Sequence, residues 1–209
     1  QVEECRLIQP QDFYLDSIHD EGQAVLDQLY QIVRREASVV LSIEGGVSLT
    51  HIVAQGQNLY VLDSANMLVY QVTLTDDGLQ SARPGGTPIR EMRRGGTASG
   101  IPVGDIFDIT YNEQKNTLVA VDRDGVLIEC SPRFLQCTGR RLLGVENWVT
   151  PTAVAVWDNR IYILDTGVGN GQIWRYDSVG DTYNSAPIDY FGGVSMPILR
   201  SAVDFAIDD

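Results

Sequence analysis

One segment of this chain is repeated, and the repeat limits the folds that the chain can adopt. Residues 151–177 hold a short apolar run, a turn, a second apolar run that ends at Asp165, a Gly- and Asn-rich loop, and a third run. Runs of β-forming residues separated by turn residues are typical of antiparallel strands joined in a meander. The segment is therefore predicted to form one small antiparallel sheet.

Weaker copies of this segment lie at three other places. The sequences NLYVLD, TLVAVD and RIYILD superpose when they are aligned on their last residues, Asp63, Asp122 and Asp165. The runs before them, and a fourth run near the end, begin near residues 51, 108, 153 and 204, so successive copies start 45 to 57 residues apart. Intervals of about 40 to 50 residues are usual for the four-stranded blades of a β-propeller. Consecutive apolar positions in the second runs also indicate sheets that are covered on both faces.

These intervals predict an all-β fold, a β-propeller with three to four blades' worth of sequence in residues 46–209. Because such a number of blades forms an incomplete ring, we expect missing chain, or another copy of this chain, to cover the open edges. The sequence begins at Gln1 and stops within the fourth copy, which we interpret as a fragment of a larger protein.

Residues 1–45 are predicted to form an N-terminal helical arm or linker followed by an edge strand over residues 38–43. Apolar residues recur at helical spacing from residue 18 to residue 33, with charged residues on the opposite face, which is the pattern of an amphipathic helix. Ser17 to Asp20 would begin this helix, and Arg34 and Arg35 suit its C-terminus. The helix could pack on the propeller, or it could be the end of a stalk from an upstream domain.

The third copy, PTAVAVWDNRIYILD followed by a loop and IWRY, resembles the NHL and related six-bladed propeller repeats. The resemblance covers roughly residues 49–209 and implies the fold. It leaves the activity open, because related propellers include protein-binding, RNA-binding, lactone- or phosphoester-cleaving and peptide-lyase members. The segments VDRDGVLIE, GQIWRYD and SAVDFAID are also similar, more loosely, to propeller modules that bacterial multidomain regulators carry outside the membrane.

Charge limits the partners that this acidic chain is expected to bind. Its formal net charge is −13, whereas a nucleic-acid-binding surface needs a basic patch, so nucleic acid is not expected as a partner. No apolar run approaches the roughly 20 residues of a membrane span. We therefore expect a protein partner or a small-molecule or glycan ligand, and the loose similarity to bacterial regulators favours an extracytoplasmic location.

Two of the three cysteines, Cys130 and Cys137, flank a Pro-containing loop that could bring their side chains together. A disulfide across this loop and a pair of reduced thiols are equally compatible with the sequence. A disulfide would indicate an oxidising compartment.

The copy alignment places His51, Asp108, Ala153 and Asp204 at equivalent starts of the innermost strands, which face the central channel of a propeller. One His and two carboxylates on a shared volume form a candidate ligand-binding site that could hold a divalent cation. Ala153 interrupts the set, and channels of this kind are commonly filled by water and polar residues alone. No other cofactor is expected.

Arginines cluster once in the sequence, and the Gly-Gly pairs at residues 85–86 and 95–96 lie beside them. Arg90, Arg93 and Arg94 could bind an anion or an acidic partner through their guanidinium groups. The alternative is a solvated outer strand.

The sequence contains two histidines, no G-x-S-x-G motif and no paired acid and base, so no catalytic residue is predicted. Recurrence of Asp63, Asp122 and Asp165 at one place in each copy favours a structural role, in which the carboxylate accepts backbone N–H groups. We therefore predict a non-catalytic ligand- or protein-binding or sensing module of a larger bacterial multidomain protein. The alternative is a metal-dependent hydrolase, similar to propeller lactonases and esterases, with an axial cation site.

Overall fold

The computed structural model describes residues 13–33, 39–83, 85–132, 136–180, 182–194 and 197–207. The chain divides into two compact units, Gln1–Val39 and Val40–Asp209. Over the described ranges, no helix has the length and the apolar character needed to cross a membrane.

The first unit contains the predicted amphipathic helix, α1, at Phe13–Leu29. It ends because Gln31 adopts a left-handed conformation with a φ of 54°. The N–H of Ile32 then donates to the carbonyl of Asp27 at 2.8 Å, a bond pattern that closes many helix ends. At its other end, the helix begins at Phe13, which is before the predicted start at Ser17. Ser17 lies within the helix, and its hydroxyl donates to the carboxylate of Glu21. The predicted basic end at Arg34 and Arg35 lies outside the described residues.

The described residues of the second unit contain three four-stranded antiparallel sheets, each in the order of the chain, and one two-stranded pair. Blade 1 contains β1 (Leu49–Gln55), β2 (Asn58–Asp63), β3 (Leu68–Thr73) and β4 (Thr87–Arg93). The pair β5 (Thr97–Ala98) and β6 (Ile101–Pro102) follows. Blade 2 contains β7 (Ile106–Asn112), β8 (Thr117–Asp122), β9 (Val126–Ser131) and β10 (Gln136–Arg141). After a 3-10 turn (Val145–Asn147), blade 3 contains β11 (Pro151–Trp157), β12 (Arg160–Asp165), β13 (Gln172–Tyr176) and β14 (Ile188–Asp189). This is the predicted all-β propeller fold.

The first strand of each blade is the innermost one, and the three inner strands share one register. His51 faces Leu62 across blade 1, Asp108 faces Val121 across blade 2, and Ala153 faces Leu164 across blade 3. A register shift immediately precedes each of these pairs at the same place. Strand β7 lies between β1 and β11, so the three blades follow one another around an axis. His51, Asp108 and Ala153 therefore hold the same position in their respective blades.

Two predicted strands are absent from the described residues. Residues 204–207, the fourth copy, are irregular, and so are residues 39–43 of the predicted edge strand. Strands need a neighbour that supplies a ladder of backbone hydrogen bonds. Val40 receives a single backbone bond of this kind, from the N–H of Ser81 at 3.2 Å, and one bond does not make a ladder.

The hydrophobic core lies between successive blades instead of within one sheet. Residues of blades 1 and 2 form the first buried cluster, which includes Tyr60, Leu62 and Ile128. A second cluster joins blades 2 and 3, and it includes Val121 and Ile163. Both faces of a central blade are therefore buried, which explains the consecutive apolar residues in the second strands.

The outer face of blade 3 is covered by the segment that follows the blade. Ala153, Tyr162 and Leu164 form a third cluster on this face, against which Leu199 and Phe205 pack. The apolar residues near the end of the chain therefore take the place that a further blade would occupy on this face.

A buried aspartate ends the second strand of every blade. Asp165 shows the arrangement most fully: Oδ2 accepts the N–H of Val149 at 2.7 Å, and Oδ1 accepts the N–H groups of Thr150 and Gly167 at 2.8 and 3.0 Å. Val149 and Thr150 precede the inner strand of the blade, and Gly167 follows the second strand. The carboxylate therefore ties the entry loop of the blade to the turn after the second strand.

The same two connections recur in the other blades. Asp63 accepts the N–H of Ser48, before the inner strand, and that of Ala65, after the second strand. Asp122 accepts the N–H of Gly104 at 2.6 Å and that of Val126 at 2.7 Å. The predicted structural role of the three aspartates is confirmed.

Cys130 in β9 and Cys137 in β10 face each other in the antiparallel register, and their sulfur atoms form a disulfide. The bond joins the outermost strand of blade 2 to its neighbour. Residues 133–135, which lie between the two strands in the sequence, are outside the described ranges.

Asp165→Ala is expected to lower the free energy of unfolding by about 3 kcal/mol, because the N–H groups of Val149, Thr150 and Gly167 would lose their charged acceptor. Chemical denaturation of the variant measures this loss. Asp76→Ala is the matched control, since Asp76 is exposed and its replacement should change stability little. Equal stability of the two variants would contradict the structural role.

The peptides that contain Cys130 and Cys137 are expected to resist thiol alkylation in denaturant until a reductant is added. Mass spectrometry of the digested protein, with and without reduction, measures the labelling. Alkylation of either cysteine before reduction would show that the disulfide is absent from the protein tested.

Candidate functional site

A cavity of about 430 Å³ lies on the axis, where the inner strands converge. Strands β1, β7 and β11 form three parts of its wall, and residues 204–207 form the fourth. His51, Asp108 and Asp204 all line this cavity, so the structure brings together the three residues that the copy alignment selected. Ala153 is fully buried in the third cluster and does not line the cavity, whereas the next residue, Val154, does.

Asp108 bridges two blades through backbone hydrogen bonds. Its side-chain Oδ1 accepts the N–H of Ile109 at 2.7 Å, and Oδ2 accepts the N–H of Val154 at 2.7 Å. Ile109 follows Asp108 in β7, and Val154 holds the equivalent position in β11. Only 3% of Asp108 is exposed to solvent, so the bridge is well shielded. The sequence did not predict the bond from Val154, because every residue other than proline has a backbone N–H and the residue type does not show which one donates.

Burial raises the pKa of Asp108 to about 7, although the hydrogen bonds from Val154 and Ile109 act in the opposite direction. The negative charge of Asp204 raises this pKa further. Desolvation disfavours the charged form of a buried carboxyl group, and the two N–H donors offset part of that penalty. Asp108 therefore changes charge near neutral pH.

His51 lies beside this carboxyl group at the wall of the cavity. Its Nε2 is 3.6 Å from Oδ1 of Asp108, which makes an ion pair only when the imidazole is protonated. Burial lowers the pKa of His51, and the charge of Asp204 acts in the opposite direction. The other ring nitrogen, Nδ1, is 3.0 Å from the hydroxyl of Thr50, which fixes the ring.

Asp204 is the exposed carboxylate of the cavity. Its Oδ1 accepts the N–H of Phe205 at 2.7 Å, which repeats the bond from Ile109 to Asp108. No described residue donates to Oδ2 of Asp204, whereas the corresponding oxygen of Asp108 is held by the neighbouring blade. One carboxylate is thus used by the fold, and the other has an oxygen open to the cavity.

Within the part of the chain that the structure describes, no group of three or more His, Cys, Asp and Glu side chains is arranged to hold a metal ion. A divalent cation on the axis therefore gains no geometric support from this arrangement. It stays a prediction from the sequence.

The arginine cluster lies on the outside of blade 1 and is separate from the axis. Arg90 and Arg93 are exposed residues of β4. Arg94 forms an ion pair with Asp105, and the negative charge of Asp105 weakens the attraction of Arg94 for an external anion. The anion-binding role of the three residues stays a prediction.

The raised pKa of Asp108 predicts how stability changes with pH. The folded state holds the Asp108 proton up to about pH 7, whereas the unfolded chain releases it near the ordinary aspartate pKa of 3.8. The contribution of Asp108 to the free energy of unfolding is therefore fully present below about pH 4, and it is lost as the pH rises to about 7.

The free energy of unfolding of the wild type, minus that of Asp108→Asn, is expected to fall across this pH range and to stay constant above it. Denaturation at a series of pH values measures the difference. A difference that rises with pH, or that does not change, would contradict the raised pKa.

Comparison with known proteins gives no family for this chain. No family model matches it, and no curated protein matches it. Among solved structures, a Bacteroides uniformis protein provisionally described as a 6-phosphogluconolactonase is similar, with a TM-score of 0.45 and 11% identity over 66% of this chain and 40% of that one.

A Bacteroides fragilis protein provisionally described as exported is also similar, with a TM-score of 0.45 and 15% identity over 76% of this chain and 41% of that one. A chain of a nidogen–laminin complex has a TM-score of 0.41 and 16% identity over 62% of this chain and 42% of its own length. The present chain thus matches about two fifths of the length of each of these three structures. The fold assignment rests on the blades described above.

Proposed function

We propose that this propeller is a non-catalytic binding module for a small ligand or a protein partner. The observation that carries the proposal is the convergence of His51, Asp108 and Asp204 on one open axial cavity. Asp108 has both oxygens engaged by backbone N–H groups, so its first role is to join blades 2 and 3. His51 and Asp204 are left to contact a ligand.

The chemistry of these groups favours a ligand that donates hydrogen bonds and carries positive charge. Asp204 presents a carboxylate oxygen to which no described residue donates a hydrogen bond, and an ionised carboxylate only accepts hydrogen bonds. The net charge of −13 attracts cations to the surface. An alkylammonium or guanidinium group fits both conditions, whether it belongs to a small molecule or to a Lys or Arg side chain of a protein.

A metal-dependent lactonase or esterase is the second candidate. The pKa of Asp108, about 7, is the observation that favours it, because a general acid or base works best near the operating pH. It ranks second because the carboxyl group is already held by two backbone donors. Its cation would also need ligands beyond the described groups.

The proposed setting is the outside of the cytoplasm, in a larger bacterial multidomain protein with an NHL-like propeller. The Cys130–Cys137 disulfide supports this location, because such bonds persist in oxidising compartments. The repeat pattern of the third copy supports the NHL-like assignment.

The binding role is tested by thermal unfolding with butylammonium and with N-acetylarginine amide. A ligand that binds only the folded state raises the midpoint of unfolding. We expect a rise with at least one probe, loss of that rise in Asp204→Asn, and an unchanged rise in Asp76→Asn, which alters an exposed aspartate outside the cavity.

No rise with either probe, or a rise that survives Asp204→Asn, would contradict the axial binding site. The second candidate is tested in parallel with Ca²⁺, Mg²⁺, Mn²⁺ and Zn²⁺ and with lactone and aryl ester substrates. Cation-dependent hydrolysis that disappears in both Asp108→Ala and Asp204→Ala would replace the binding role with the hydrolase.

A further inference from the structure

A second cavity, of about 580 Å³, lies at the tips of the β7–β8 and β11–β12 hairpins. Each hairpin contributes one aromatic residue to the lining, Tyr111 and Trp157. Five further lining residues carry an amide or a carboxyl group. The volume is in the range of small-molecule sites, which span roughly 300 to 1,000 Å³.

The composition of this lining selects a class of ligand. No Lys, Arg or His is among the lining residues, and the guanidinium of Arg160, which is ion-paired with the lining residue Asp158, is also paired with Asp177. The cavity therefore offers little countercharge to a phosphate, a sulfate or a carboxylate. Amides donate and accept hydrogen bonds, carboxylates accept them, and aromatic rings present apolar faces. A saccharide needs this combination, because its hydroxyl groups both donate and accept while its C–H faces are apolar. We propose that the hairpin cavity binds a neutral saccharide.

Hydrogen bonds fix the inner wall of the cavity before any ligand arrives. Asn112 is 1% exposed, its Oδ1 accepts the N–H of Lys115 at 3.1 Å, and its Nδ2 donates to Oδ1 of Asn159 at 3.3 Å. Asn159 in turn donates from Nδ2 to the hydroxyl of Ser178 at 3.0 Å. The hydroxyl of Tyr183 donates to Oδ1 of Asn159 at 3.2 Å. A ligand would therefore meet amides whose orientation is already set.

Both aromatic residues are also packed on the core, Tyr111 against the first cluster and Trp157 against the third. The hydroxyl of Tyr111 donates to Oδ1 of Asn116 at 2.7 Å, and its ring stacks on Tyr60 with the centroids 6.3 Å apart. Trp157 immediately precedes the turn of its hairpin, where Asp158 and Asn159 both have positive φ. Two such residues in a two-residue turn match the right-handed twist of the strands, so the hairpin is short and stiff.

The outer part of the lining is free to contact a ligand. Glu113 and Gln114 are exposed, and no described residue forms a hydrogen bond with either side chain. The fixed wall and the free rim together resemble the arrangement that binding sites need, with a rigid base and adjustable polar groups.

This inference goes beyond the axial binding role and does not depend on it. The axial and hairpin cavities share only Val156 among the residues that line them. Variants of Asp204 therefore test the axial site, whereas variants of Trp157 and Gln114 test the hairpin site.

Saturation-transfer NMR tests the proposal with glucose, galactose, mannose, N-acetylglucosamine and their β-linked disaccharides. We expect transfer to the C–H protons of at least one sugar. Trp157→Ala should weaken binding about tenfold or more, since it removes an aromatic contact of the order of 1.4 kcal/mol. Trp157→Phe should retain most of the affinity. Gln114→Ala should weaken binding, and Gln80→Ala, an exposed glutamine outside the cavity, should not.

Absence of transfer to every sugar in the panel would overturn the proposal. Binding that is unchanged in Trp157→Ala and Gln114→Ala would overturn it as well. If Asp204→Asn abolished saccharide binding while Trp157→Ala did not, the sugar would lie in the axial cavity and the hairpin assignment would be wrong.

Discussion

The buried carboxylate at the end of each second strand is the interaction on which the blades depend. A carboxylate that is removed from water needs hydrogen-bond donors, and the N–H groups of the entry loop and of the turn after the second strand supply them. Asp63, Asp122 and Asp165, none of which is exposed, are the carboxylates that accept these bonds. A charged acceptor forms stronger hydrogen bonds than a neutral one, which offsets the cost of burying the carboxylate.

The balance between burial and hydrogen bonding differs from blade to blade. Burial acts to raise the pKa of Asp63, but the donors Ser48, Asn66 and Ala65 together hold this pKa below its usual value. In Asp122 burial outweighs the donors Gly104 and Val126, and the pKa is raised. The same structural position therefore holds an aspartate with a lowered pKa in blade 1 and one with a raised pKa in blade 2. Both aspartates make the same connection between the entry loop and the turn.

Asp108 extends the same principle from within a blade to the contact between blades. It resembles a catalytic acid in its burial and its raised pKa, yet its two oxygens hold Ile109 and Val154 in neighbouring inner strands. Asp204 accepts the N–H of the next residue, Phe205, as Asp108 accepts that of Ile109. No described residue donates to its second oxygen as Val154 does to Asp108. The difference between the two residues divides the axial cavity into a part that supports the fold and a part that is open to a ligand.

The repeat predicted the blades well because each carries its own strand order and turns. The predicted equivalence of His51, Asp108 and Ala153 matches the observed register. Residues 204–207 share the pattern without forming a strand, since a strand depends on a neighbour that the pattern does not contain. The partner of Asp108 is a backbone group, and Asn112 meets Asn159 across 47 positions of sequence, so neither contact was predictable from local spacing.

The most direct test of this account is native-state hydrogen exchange at the amide of Val154, in the wild type and in Asp108→Ala. If Asp108 joins the blades, this amide should exchange about tenfold faster or more in the variant than in the wild type, relative to core amides of blade 3, because its acceptor is lost. The same amide should stay protected in Asp204→Ala. Equal relative protection of Val154 in the wild type and in Asp108→Ala would contradict the bridge and return Asp108 to the candidates for catalysis.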